Sequence, residues 1–152
     1  MVAKKKTIYK IPKYKKSPSK KKKPRAISLG DTNRQTIAWQ FSKLDIGGKW
    51  CCKRIDRNTL WGFLYGKIKA FESMTWSEIY QDKDNNHDVK KEDLSQNAQK
   101  RLIKIKQDDI DSLFTLHLSS MRRIWGIRDG RALKVLWYDP DHEVCISSKT
   151  HT

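Results

Sequence analysis

No stretch of the 152 residues is apolar for long enough to cross a bilayer, and the N-terminus lacks the apolar segment of a secretory leader. Those absences predict a cytoplasmic protein with no membrane partner. Cysteine is scarce. Cys51, Cys52 and Cys145 make an odd set with a vicinal pair, a poor disulfide framework that fits a reducing compartment. Acid is missing altogether from residues 1–25, which hold eleven Lys and one Arg and therefore carry +12. The other 21 basic and 17 acidic side chains leave residues 26–152 at only +4. No internal repeat is visible, and nothing in the sequence calls for a cofactor.

What is present divides accordingly. Residues 1–25 are Lys-rich, punctuated by Pro12, Pro18 and Pro24, and too poor in apolar side chains to offset ordering entropy, so they are expected to form a disordered basic arm. Lys20, Lys21, Lys22, Lys23 and Arg25 make a run that would bind phosphates by counterion release without reading sequence. A solubilising tail is the alternative. Residues 26–152 are long enough for one core.

The clearest pattern in that core lies between Leu113 and Ile146. Leu113 to Ser119 alternates, with Phe114, Leu116 and Leu118 on one face and Leu113, Thr115 and His117 on the other. Arg123 to Arg128 puts Arg123, Trp125 and Ile127 on a common face. Asp129–Gly130 signals a type I′ hairpin. Leu133, Val135 and Trp137 then alternate with Lys134, Leu136 and Tyr138, before Asp139–Pro140–Asp141 turns the chain. These three strands form an antiparallel meander, expected to be apolar on one face and open on the other.

Earlier segments supply the cover. Ile37, Trp39 and Phe41 predict a first strand over 36–45, broken at Gly47–Gly48. Asp56 offers a helix cap, and Leu60, Phe63, Leu64, Ile68 and Phe71 keep helical spacing, with Trp61 and Tyr65 widening the stripe. Thr75 and Glu78 match a capping box for a short second helix. Residues 81–91 read as an exposed loop. Leu94, Ala98, Leu102 and Ile105 mark another amphipathic helix. The fold class is α+β, with helices on one face of the sheet.

This order of strand, helices and meander resembles the RelE/ParE-like toxin superfamily of bacterial toxin–antitoxin systems. The resemblance spans roughly residues 36–150 and is sharpest in LFTLHLSSMRRIWGIRDGRALKVLWYD, Leu113 to Asp139. It implies a metal-independent endoribonuclease that cleaves mRNA, on the ribosome in some members, and is held inactive by a cognate antitoxin. In such enzymes the RNA 2′-hydroxyl attacks the adjacent phosphate and basic side chains stabilise the added charge. Arg123 matches the arginine that opens the second meander strand, expected to bind the scissile phosphate. His117 stands where many members place a basic residue. His142 and His151 fall in the C-terminal region from which some members draw a catalytic side chain. Arg122, Arg128, Arg131, Lys134 and Lys149 are candidate nucleic-acid contacts. Arg122 should point away from Arg123 if the strand is regular. Other members poison gyrase, and a non-catalytic nucleic-acid-binding protein dominated by its arm is a further alternative.

Plainer readings compete residue by residue. Arg123 could be a surface arginine paired with Asp129 or Asp111, and His117 a satisfied half-buried histidine. Cys51, Cys52, His142 and Cys145 could converge on zinc, but adjacent cysteines rarely ligate one ion. Of the six tryptophans, those in regular elements read as core, leaving Trp50 as the one to suspect of base stacking.

Overall fold

The computed structural model describes residues 32–146. It is an α+β arrangement around a five-stranded mixed sheet of order β1-β5-β4-β3-β2. Strand β1 (Ala38–Gln40) runs parallel to β5 (Ala132–Asp139). Strands β3 (Ser112–His117), β4 (Arg123–Asp129) and β5 make the antiparallel meander that the alternation predicts. The first strand is shorter than expected. Thr36 bridges Thr75 instead, and the Leu44 amide turns back to the Phe41 carbonyl.

The first helix, α1, joins Arg57–Thr59, a π-helical stretch Leu60–Leu64 and Tyr65–Glu72. Its cap is Asp56, whose carboxylate accepts from the Thr59 amide and hydroxyl at 2.8 and 2.7 Å. The wider π turn rotates the residues before it relative to those after it. Leu64 and Phe71 are buried, while Leu60, Trp61 and Tyr65 are left exposed. Helix α2 (Trp76–Gln81) starts at the capping box: Thr75 and Glu78 each accept the other's backbone amide. Helix α3 (Gln96–Lys104) is capped by Ser95.

Four further features depart from the sequence reading. Residues 87–90 form an edge strand, β2 (His87–Lys90), antiparallel to β3, where a loop is expected. The hairpin loop is Gly130–Arg131, one residue later than expected. Asp129 pairs with Ala132, and only Gly130 has positive φ, which fits a II′ turn better than I′. A bulge in β5 also breaks the alternation, because Trp125 pairs with Trp137 while Gly126 pairs with Val135. Leu136 is the extra residue, so Leu133, Val135 and Tyr138 join one core while Leu136 and Trp137 join the other.

The fourth departure concerns the layers. Both faces of the sheet are covered. Residues of α1 and α2, including Leu64, Phe71, Trp76 and Ile79, pack on Phe114, Leu116, Ile124 and Leu133. On the opposite face, Leu94, Ala98 and Leu102 pack with Trp50 and Val144 on Leu113, Trp125, Leu136 and Trp137. The apolar residues on the second face of the meander need this cover.

Gly47–Gly48 belongs to a buried hub beside β5. The Asp45 carboxylate accepts from the Gly47 and Gly48 amides at 3.1 and 3.2 Å and from Trp137 Nε1 at 2.9 Å. It also accepts from Arg101 of α3 through Nη2 at 2.5 Å and Nε at 2.7 Å. A Cβ at Gly48 would lie 2.6 Å from both Arg101 Nε and Asp45 Oδ2, so only glycine lets the loop close over the carboxylate. The hydrogen bond from Arg101 does most to lower the Asp45 pKa to about 2, against the opposing effect of burial.

Candidate nucleic-acid interface

Register brings the sequence candidates together at one end of the sheet. His117, Arg123 and Asp139 are cross-strand neighbours in a row over β3, β4 and β5. His87, Thr115, Trp125 and Trp137 form the adjacent row. Past β5, both oxygens of buried Asp139 are taken by backbone amides, Glu143 and Val144, each at 3.0 Å. That loop carries His142 at φ 57. The result is a cavity of about 210 Å³ whose walls include His87, Thr115, Arg123, Trp125, His142 and Cys145.

Arg123 is not the surface residue that a pairing with Asp129 or Asp111 would require. It is 9% exposed. Its Nη1 donates to the carbonyls of Ser119 at 2.6 Å and Arg122 at 3.1 Å, and Nη2 donates to Ser120 at 3.4 Å. Asp129 pairs with Lys134 instead. The guanidinium thus ties down the β3–β4 turn while its side chain borders the cavity. Burial lowers the Arg123 pKa, opposed by the charge of Asp139.

The two histidines share that field. Burial, then the Arg123 charge, pushes both His117 and His142 below the ordinary imidazole value, with Asp82 and Asp139 respectively acting the other way. Both are therefore neutral near pH 7 and able to accept a proton. The His117 amide is fixed by Asn86 Oδ1 at 2.8 Å. Its Nδ1 is not satisfied, contrary to the plain reading. His117 Nδ1, His87 Nδ1, Thr115 Oγ1 and Trp125 Nε1 are all buried without a hydrogen-bond partner among the described residues. Four such atoms in two adjacent rows mark a region where polar chemistry is not closed by the protein itself.

The other basic candidates scatter. Arg122 turns to the opposite face, as a regular strand requires, and lies 4.4 Å from the centre of the Phe63 ring. Arg128 stacks on Trp76 at 4.2 Å and donates to Asn33 Oδ1 at 2.6 Å. Arg131 donates to the carbonyl and hydroxyl of Thr36, joining the hairpin to the segment before β1. Lys149, His151 and the arm residues Lys20, Lys21, Lys22, Lys23 and Arg25 lie outside the described residues.

Two tryptophans, though not the cysteines, correct further expectations. Among the described residues, no group of three or more His, Cys, Asp or Glu could hold a metal ion. Cys51 Sγ accepts from the Lys53 amide, and burial raises the Cys52 thiol to about 11. Trp50, suspected of base stacking, is 4% exposed and packs on Trp137 with ring centres 5.1 Å apart. Trp61, read as core, is 62% exposed. Among the described residues no helix is long and apolar enough to cross a membrane.

Sequence reading missed His87, Asn86 and Asp139. The first two sit in the segment taken for a loop. Their signal is four residues long: His87 and Val89 point inward while Asp88 and Lys90 are exposed. Comparisons with protein-family models, curated proteins and solved structures returned no match.

Proposed function

We propose that the chain is a RelE/ParE-like, RNA-binding domain and a metal-independent endoribonuclease. The observation that carries this reading is the convergence of Arg123 and His142, from a strand and a loop, on one cavity, with His117 as the cross-strand neighbour of Arg123. A phosphate there would meet a buried cation beside two neutral imidazoles. One imidazole accepts the proton of the RNA 2′-hydroxyl as its oxygen bonds to phosphorus. The P–O5′ bond breaks, the leaving oxygen takes a proton from water, and a 2′,3′-cyclic phosphate remains. Arg123 supplies charge to the crowded phosphorane, and a fixed cation of that kind is worth most where water is excluded. A cognate antitoxin would keep the site silent, and the basic arm would add affinity for message or ribosome.

One observation favours the non-catalytic reading: three donated bonds of Arg123 already end on turn carbonyls. Brief induction of the full chain in a bacterial host, with primer extension on abundant messages, separates the two. Discrete new 5′ ends should appear and fall by about 100-fold or more in His142→Ala and His117→Ala, a typical loss for a general base. Arg123→Lys keeps the charge without the fork and should give an intermediate loss. Far-UV circular dichroism checks that each variant folds. Cleavage that persists undiminished in both histidine variants would sink the catalytic assignment. Intact messages, with RNA binding that depends on residues 1–25, would identify a binding protein, and DNA damage without RNA cleavage a gyrase-directed toxin.

A further inference from the structure

The segment that follows Gly47–Gly48 has no part in the site above, yet it forms one wall of another pocket. Lys49, Trp50 and Arg54 face Asp141 and Glu143 across a cavity of about 170 Å³. The Tyr138 amide donates to the Trp50 carbonyl at 3.0 Å and holds the two walls together. Asp141 and Glu143 flank His142 in sequence, so one loop borders both this pocket and the Arg123 cavity. Trp50 is 4% exposed, and its Nε1 is buried with no hydrogen-bond partner among the described residues. An indole N–H can only donate, so the group it lacks is an acceptor.

The charges around the pocket narrow the ligand further. Lys49 and Glu143 neutralise each other at 2.7 Å. Arg54 and Asp141 are exposed, and neither forms an ion pair among the described residues. One indole N–H, one spare cation and one spare carboxylate are left to serve. A simple anion would meet the charge of Asp141. A simple cation would meet Arg54 and leave the indole without an acceptor. The volume is below the roughly 300 Å³ at which drug-sized sites begin, so it has room for one small molecule. We infer that this pocket binds a small zwitterion, a free α-amino acid, with its carboxylate at Arg54 and the Trp50 indole and its ammonium at Asp141. Tyr138 and Pro140, also in the wall, remain for its side chain. Occupancy would tie residues 49–54 to the loop that carries His142, but binding itself does not rest on RNA cleavage.

Isothermal titration of the full-length protein with each of the common L-amino acids tests it. At least one should bind saturably. Its N-acetyl derivative lacks the positive charge and its amide lacks the negative one. Each should bind at least about tenfold more weakly, the loss expected when a charge-assisted hydrogen bond is removed. Arg54→Ala and Asp141→Asn should each weaken the free amino acid by the same factor, with circular dichroism checking that they fold. Should either variant lose its spectrum, the two derivatives decide the question on the wild-type protein. Failure of every amino acid to bind, equal binding of either derivative, or unchanged binding in the folded variants would overturn the proposal. Inorganic phosphate bound as tightly, at a site lost in Arg54→Ala, would overturn it too and make the pocket a plain anion site.

Discussion

Two arginines, Arg123 buried and Arg101 half-buried, sit on the same side of the sheet and are treated oppositely. Arg101 meets the Asp45 carboxylate through two hydrogen bonds, and that carboxylate also binds two loop amides and an indole. Arg123 has a buried carboxylate in the next strand of its row, yet both Asp139 oxygens are committed to the amides of Glu143 and Val144. Around Arg101 the charges are matched, and the shared carboxylate is filled with donors. Around Arg123 one cation is held by carbonyl dipoles while four polar atoms nearby stay unpaired. A closed network holds a fold together; an open one leaves capacity for something that arrives from outside.

Asp45→Asn leaves Arg101 without its counter-charge and should cost about 3 kcal/mol of unfolding free energy, a typical penalty for splitting a buried pair. Urea denaturation measures it, and a loss under about 1 kcal/mol would show that Asp45 is not the hub described.

The folded pKa of Asp45, about 2, lies below the ordinary 3.8. Its stabilisation is therefore complete above pH 4 and is lost as pH falls from there through 2, about 2 kcal/mol in all. The stability difference between wild type and Asp45→Asn should shrink over that interval. A difference that stays constant would assign the Asn cost to packing alone.

The weak side predicts a small effect of opposite sign. Thr115→Val replaces an unpaired buried hydroxyl with a methyl of similar shape, and should be neutral or stabilising by up to about 1 kcal/mol. Destabilisation by that amount would mean that the hydroxyl is already satisfied, and would remove one support for an open site.

The same division governs what the sequence reveals. The meander is legible because three apolar-rich runs of six or more residues are separated by turn signals, and two of the three helix caps are legible because Asp56 and the Thr75–Glu78 pair act within one turn. The β5 bulge is illegible, since Leu136 and Trp137 are both apolar and either could have taken the expected face. Strand β2 has one buried residue, Val89, too little to distinguish it from a loop. Trp50 and Trp61 exchange their expected roles for want of a local cue: the π turn exposes one, and the Asp45 loop buries the other. Pairing of His117 with Arg123 follows from the short β3–β4 turn. His142 joins them only through the carboxylate of Asp139, a link between side chain and loop backbone that no periodicity encodes.

Parallel pairing of β1 with β5 sets an order on synthesis. Ala38 waits for Ala132, Trp39 for Leu133 and Gln40 for Lys134. A nascent chain that has made β1 and every helix still lacks the strand that β1 needs, and holds Ile37 and Trp39 beside an unfilled sheet position. Both cores share this dependence, because β5 supplies Leu133 and Val135 to one and Leu136 and Trp137 to the other. Closure of the whole domain is thus a late event in translation, governed by the longest-range contact in the sheet.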